Sequence, residues 1–291
     1  NTSALAALRI LASRPDLDPR RRKVFSALIA RTASGHLWRA IADVFATHQH
    51  GWQGPLILSM LARTPDADTE LVYALRLALK ACVAAATIED LERLAGGRPE
   101  AAERLADVAL AVPTPAAAEF LLGHLERTHF ASARAGEFAR HAVQQLPAGQ
   151  FAAIESLVRS LAGAPATQQL ALAEGLAAVS LLPGRTLPAG VATWMRRTLV
   201  GSFVHPDTTL ARRAIDAVKA LSFPEKNAPL RKIILNSTAT RSVRLSAVRA
   251  VALDDEGVTA LITVMTRASD PGALRRAAVE QLTTTGGGEA A

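Results

Sequence analysis

The chain has 291 residues, of which 49% are hydrophobic and 20% charged, and a formal net charge of +7. That balance excludes a disordered polymer, and a single cysteine excludes an intramolecular disulfide, a CxxC metal site and a haem-attaching CxxCH in this chain. Aromatic residues are only 4% and alanine about a fifth of the chain, so the composition favours closely packed helices over sheet.

Of the basic residues, 28 are arginine and 5 lysine, spread among 26 acids. A GC-rich coding bias produces that pairing of arginine with alanine without selection for anion binding. The competing reading is a nucleic-acid footprint, and its tightest run is Arg20, Arg21, Arg22 and Lys23. The first residues predict a helix by Leu5. They show no basic region followed by a long apolar stretch, so no signal peptide is visible and the chain reads as a piece of something longer.

Along the chain, helix starts are predicted where a capping side chain precedes proline or an acid: Asp18-Pro19, Asp68 before Thr69-Glu70, Thr114-Pro115 and Asp270-Pro271. Stops are predicted at Gly35, Gly96-Gly97, Pro113, Pro147, Gly163, Pro183-Gly184 and Pro224. Apolar stripes at helical spacing lie between them, such as Ile154, Leu157, Val158 and Leu161. About sixteen antiparallel helices result. The most apolar stretch, Leu71–Ile88, is interrupted by Arg76 and Lys80, short of the roughly 20 apolar residues a bilayer helix needs. Cys82 falls in this helical run and reads as a small buried hydrophobe. Gly51–Pro65 and Pro183–Pro206 do not align to a common register.

The last third repeats. Leu210-xxx-Ala214-Ile215-xx-Val218 matches Val243-xxx-Ala247-Val248-xx-Val251, and then Leu274-xxx-Ala278-Val279-xx-Leu282. Leu230, Ile233 and Ile234, then Leu261, Val264 and Met265, mark shorter partner helices. Two helices and no strand in about 30 to 45 residues mark a helical repeat, whose hairpins bury their apolar faces on one another. The expected fold is therefore all-α, an α-solenoid of HEAT-like antiparallel helical hairpins. Residues 1–282 form one array, irregular over 1–206 and regular over 207–282. Residues 283–291 lose periodicity and read as a flexible linker to a further domain.

Three stretches resemble a known family: His36-Leu-Trp-Arg-Ala-Ile-Ala-Asp-Val44, Asp68-Thr-Glu-Leu-Val-Tyr-Ala-Leu-Arg-Leu-Ala-Leu79, and Leu105-Ala-Asp-Val-Ala109 leading into Pro115-Ala-Ala-Ala-Glu-Phe-Leu-Leu122. With Arg140-His141 and the closing Gly-Gly-Glu-Ala-Ala, they are similar to the helical middle of PVC-type haem-binding proteins. In those exported bacterial proteins a β-propeller, a HEAT array and a c-type cytochrome domain follow in order. The likeness covers residues 30–150; the rest is generic HEAT. It implies a periplasmic or otherwise exported spacer, with propeller and cytochrome-like neighbours as partners. The family's haem ligands lie in a CxxCH absent here, so no cofactor carries over.

For chemistry, GxSxG, HExxH, GxGxxG and GxxxxGK are all missing. His48 and His50 near Trp52 read as a solvated helix end rather than metal ligands. His124, His129 and His141 fall on consecutive helices, where Glu126 or Glu137 could join them; they read as exposed or capping histidines. Arg212, Arg244 and Arg275, with Arg213 and Arg276 adjacent, are expected to form a row on stacked hairpins. That row is the candidate interaction surface; alternatively, each arginine pairs with Asp207, Asp254 or Asp270. The reading is a non-catalytic scaffold without cofactor or metal. Its alternative is a nucleic-acid-binding helical repeat using the arginine-rich surface.

Overall fold

The computed structural model describes residues 6–8, 10, 21–32, 34–48, 51–129, 134–147 and 152–283. Ala6, Ala7 and Leu8 are helical, and sixteen further α-helices follow among the described residues, with no strand. The protein is all-α, as its alanine content and periodicity predict. Packing divides the chain into two compact units, 1–128 with 145–147, and 129–144 with 148–291.

The first unit holds α1 (Arg22–Arg31), α2 (Gly35–Thr47), α3 (Gly54–Arg63), α4 (Thr69–Ala85), α5 (Ile88–Ala95), α6 (Pro99–Ala109) and α7 (Pro115–Arg127). Alternate helices stack: α2 on α4 and α4 on α6, with α1 on α3 and α5 on α7. Their sequences dictate where they start. Asp68 accepts a hydrogen bond from the Leu71 amide at 3.1 Å, and Thr114 from Ala117 at 3.3 Å. Thr87 and Asp90 form a reciprocal capping box on α5. Gly96, at φ 56°, ends α5 in the left-handed region that only glycine adopts without strain. Phe45, Ile57, Met60, Leu75, Leu79 and Leu105 are fully buried; each such side chain contributes roughly 1.5–3 kcal/mol.

The second unit holds α8 (Ala135–Gln145), α9 (Ala152–Ser160), α10 (Ala166–Ser180), α11 (Ala189–Ser202), α12 (Thr208–Val218), α13 (Asn227–Leu235), α14 (Arg241–Ala250), α15 (Asp255–Thr266) and α16 (Gly272–Thr283). Here α10 packs on α12, α12 on α14 and α14 on α16, while α9 packs on α11 and α13 on α15. Short connections turn the chain back between successive helices, so residues 207–283 are hairpins stacked in two layers. Ala214, Ala247 and Ala278 are all 0% exposed at these contacts, as the repeat predicts. Gly175 brings α10 against α8: a Cβ there would lie 3.0 Å from the Arg140 amide nitrogen and 3.1 Å from Gly136 O.

Several expectations change. Gly35 opens α2 rather than stopping a helix. The two stretches that align to no common register are helical, as the rest is: Gly51–Pro65 contains α3, and Pro183–Pro206 contains α11. Asp270 turns its carboxylate to Arg244. Val279, matched to the core of the repeat, is 42% exposed, because no helix follows α16 among the described residues to cover that face. Asp18-Pro19, the start at Leu5 and residues 284–291 lie outside the described residues.

Candidate functional site

The last four carbonyls of an α-helix have no partner within it and carry the negative end of its dipole. In this protein, cationic side chains supply the missing donors. Arg63, at the end of α3, donates to Ile29 O at the end of α1 (3.1 Å). Arg104 of α6 donates to Leu61 O in the last turn of α3 (3.1 Å). In the second unit Arg185 donates to Gln144 O of α8. Arg267 reaches Leu235 O of α13 (3.3 Å). Lys226, 5% exposed, binds Val218 O (2.9 Å) at the end of α12, and Leu221 O beyond it. Burial pulls the Lys226 ammonium below the ordinary lysine range.

Arg244 is the most completely enclosed. Its Nε and Nη2 donate to Ile234 O at 3.0 and 2.8 Å, and its Nη1 to Asp270 Oδ1 at 2.6 Å. Both side chains of this ion pair are under 5% exposed. The predicted arginine row therefore does not form. In the repeat register Ala211, Arg244 and Arg275 share one place; Arg244 points inward and Arg275 is exposed. Arg244 is thus no part of an interaction surface. Arg213 is bound by both carboxylate oxygens of Glu174 on α10, which raises its guanidinium pKa. Arg212 is exposed, and Arg275 and Arg276 line a shallow groove beside Met265 and Val279.

Of Asp207, Asp254 and Asp270, only Asp270 pairs with an arginine of the predicted row. Asp254 joins Arg231 at 3.5 Å, and Glu256 joins the same guanidinium. Asp207 instead caps α12 through the Thr209 amide at 2.8 Å, which holds its carboxyl below the usual range. Of the basic run, Arg22 and Lys23 are exposed at the start of α1, and Arg20 lies outside the described residues.

Two histidines, His48 and His124, depart from expectation. His48 is buried at the end of α2, and His50 lies outside the described residues. His124 is 1% exposed, stacked near Phe120, with Nε2 3.0 Å from Glu103. It walls a cavity of about 610 Å³ between α5, α6 and α7. Arg127 stands on the same cavity, held by both oxygens of Glu92 and lying over the Phe120 ring. Two pairs of side chains on the cavity wall, His124 with Glu103 and Arg127 with Glu92, are thus bound to one another. His129 is exposed and His141 half-buried. Among the described residues no three His, Cys, Asp or Glu side chains gather as a metal site.

Cys82 is buried as predicted, and its thiol donates to Gln53 Oε1 at 3.7 Å. Burial pushes its pKa up to about 12. No helix among the described residues is long and apolar enough to cross a membrane.

No family model matches the chain, and no curated protein matches it. An engineered protein of known crystal structure aligns over 96% of this chain and 84% of its own, at 16% identity and a TM-score of 0.37. That likeness carries no argument about function, which rests on the geometry above.

Proposed function

We propose that this chain is a non-catalytic helical-repeat scaffold that holds protein partners or neighbouring domains on its exposed helix faces. The observation that carries this reading is the employment of its cations. Arg63, Arg104, Arg185, Lys226, Arg244 and Arg267 all bind helix-terminal carbonyls of a preceding helix. These carbonyls bring no formal negative charge; apart from Arg244 and Arg267, which share the carboxylate of Asp270, such cations add to the net charge while serving the fold. A net charge of +7 then needs no polyanionic partner to account for it. The resemblance of residues 30–150 to PVC-type haem-binding proteins extends the proposal. The scaffold would be a spacer in a larger exported protein, and a CxxCH encoded within about 30 residues downstream would support that extension.

Duplex-DNA affinity across a salt series tests the reading. A scaffold binds only non-specifically, with Kd of about 10⁻⁴ to 10⁻⁶ M at physiological salt. Submicromolar binding, lost in Arg212→Glu/Arg275→Glu/Arg276→Glu without loss of stability, would replace it with a nucleic-acid-binding function.

A further inference from the structure

One exposed region of the second unit carries cationic and aromatic groups that the fold does not use. Helix α11 buries Val191, Met195 and Leu199 on one side. Its outer side presents Thr193, Arg197, Val200 and Gly201, and two clefts of about 370 and 440 Å³ flank it. Arg197 and Gly201 line both clefts. A Cβ built on Gly201 would meet nothing within 4 Å, so the helix surface is open there.

The smaller cleft holds Trp194, Arg197 and His205 and is lined by no acidic side chain. Arg197 makes no hydrogen bond or ion pair among the described residues, in contrast to Arg196, which lies over the Phe223 ring. The tautomer of neutral His205 follows from its neighbour. Its Nδ1 accepts the Asp207 amide hydrogen at 3.0 Å, which leaves Nε2 carrying the proton as a donor. Asp207, the acid nearest in sequence, lies close enough to His205 to feel its charge, but its carboxylate caps α12 through the Thr209 amide. Gln169, across the cleft, is anchored by its own bond to Ala164 O at 2.8 Å. Val204, next to His205, is 79% exposed.

We propose that the outer face of α11 docks an acidic peptide segment of a partner protein, with one carboxylate on Arg197 between Trp194 and His205. Arginine binds carboxylates through paired N–H donors, and Trp194, which lines the same cleft, supplies apolar contact. The clefts are shallow and lie on both sides of Arg197, so an extended segment crossing the helix fits them, its carboxylate in the smaller cleft and an uncharged residue in the larger one, which Glu225 lines. An enclosed small ligand would need most of its surface covered. The proposal deepens the scaffold reading and rests on it.

The test titrates the whole chain with a capped decapeptide of alternating glutamate and leucine, beside its glutamine–leucine counterpart. Tryptophan emission and the anisotropy of labelled peptide report binding. The glutamate peptide should bind and change emission that Trp194→Phe removes. Arg197→Ala should weaken binding about tenfold or more at an unchanged melting temperature, and the glutamine peptide should bind more weakly by a similar factor. Equal binding of the two peptides, wild-type affinity in Arg197→Ala, or no binding up to about 1 mM overturns the proposal. Loss of DNA rather than peptide binding in Arg197→Ala also overturns it, because the cleft would then read phosphates. Failure with the peptides leaves the scaffold reading intact; only tight DNA binding removes that.

Discussion

At the scale of single residues, burial rather than residue type decides what each side chain does. Cys82 sits among apolar neighbours on α4, where a thiolate would be poorly solvated. Its pKa rises from 9.0 to about 12, so between those values the unfolded chain loses a proton that the folded chain keeps. The thiol's contribution to stability is therefore intact below pH 9 and is lost as pH rises towards 12. At pH 8 a thiol-specific disulfide reagent should find no reactive cysteine in the native chain and one in denaturant; rapid native labelling contradicts this placement. The sequence alone made Cys82 legible, because it lies in an apolar helical run. Arg244 was not legible in the same way. Local spacing placed it beside Arg212 and Arg275, but its direction depends on Ile234 O and Asp270, which folding brings from 10 and 26 residues away. His124 misled for the same reason, since Glu103 comes from the preceding helix.

For whole elements, starts follow from local chemistry and ends from neighbours. Asp68 and Thr114 satisfy amides three residues on, as the sequence predicts; Thr87 with Asp90, and Asp207, cap nearby amides at starts not predicted from it. Replacing Thr87 with alanine removes the capping box of α5 and should cost about 0.5–2 kcal/mol in urea unfolding; no change would mean the box adds nothing to stability. The helix ends are different, because their donors arrive from later in the chain, as Arg104 of α6 does for α3. Sequence reading recovers no such pairing, which is why the arginines looked like a surface row. The recurrent alanines, in contrast, declared the packing correctly. Ala247 has no exposed surface between stacked hairpins, so leucine there should overpack the contact and cost about 1–3 kcal/mol. An unchanged melting temperature for Ala247→Leu would place the α12–α14–α16 contact elsewhere.

Across the whole molecule the basic excess acquires a structural cause. A helix end that recruits an arginine or lysine gains a positive charge that its carbonyls do not offset; at α13, Asp270 offsets one of the two, Arg244 and Arg267. The ends of α1, α3, α8, α12 and α13 are all closed in this way. Composition exposed the charge but not its use, since the carbonyls that receive it belong to the backbone and leave no mark in sequence. The unfolding free energy of two arginine variants within the second unit separates structural from surface cations. Arg244→Ala/Arg267→Ala strips the end of α13 and leaves Asp270 buried without its partner, and should lose at least about 3 kcal/mol. Arg212→Ala/Arg275→Ala/Arg276→Ala removes more charge from exposed positions, and should lose less than about 1 kcal/mol. If instead the exposed triple variant loses as much as the buried pair, or the pair unfolds like the wild type, the cations do not hold the fold and the account is wrong.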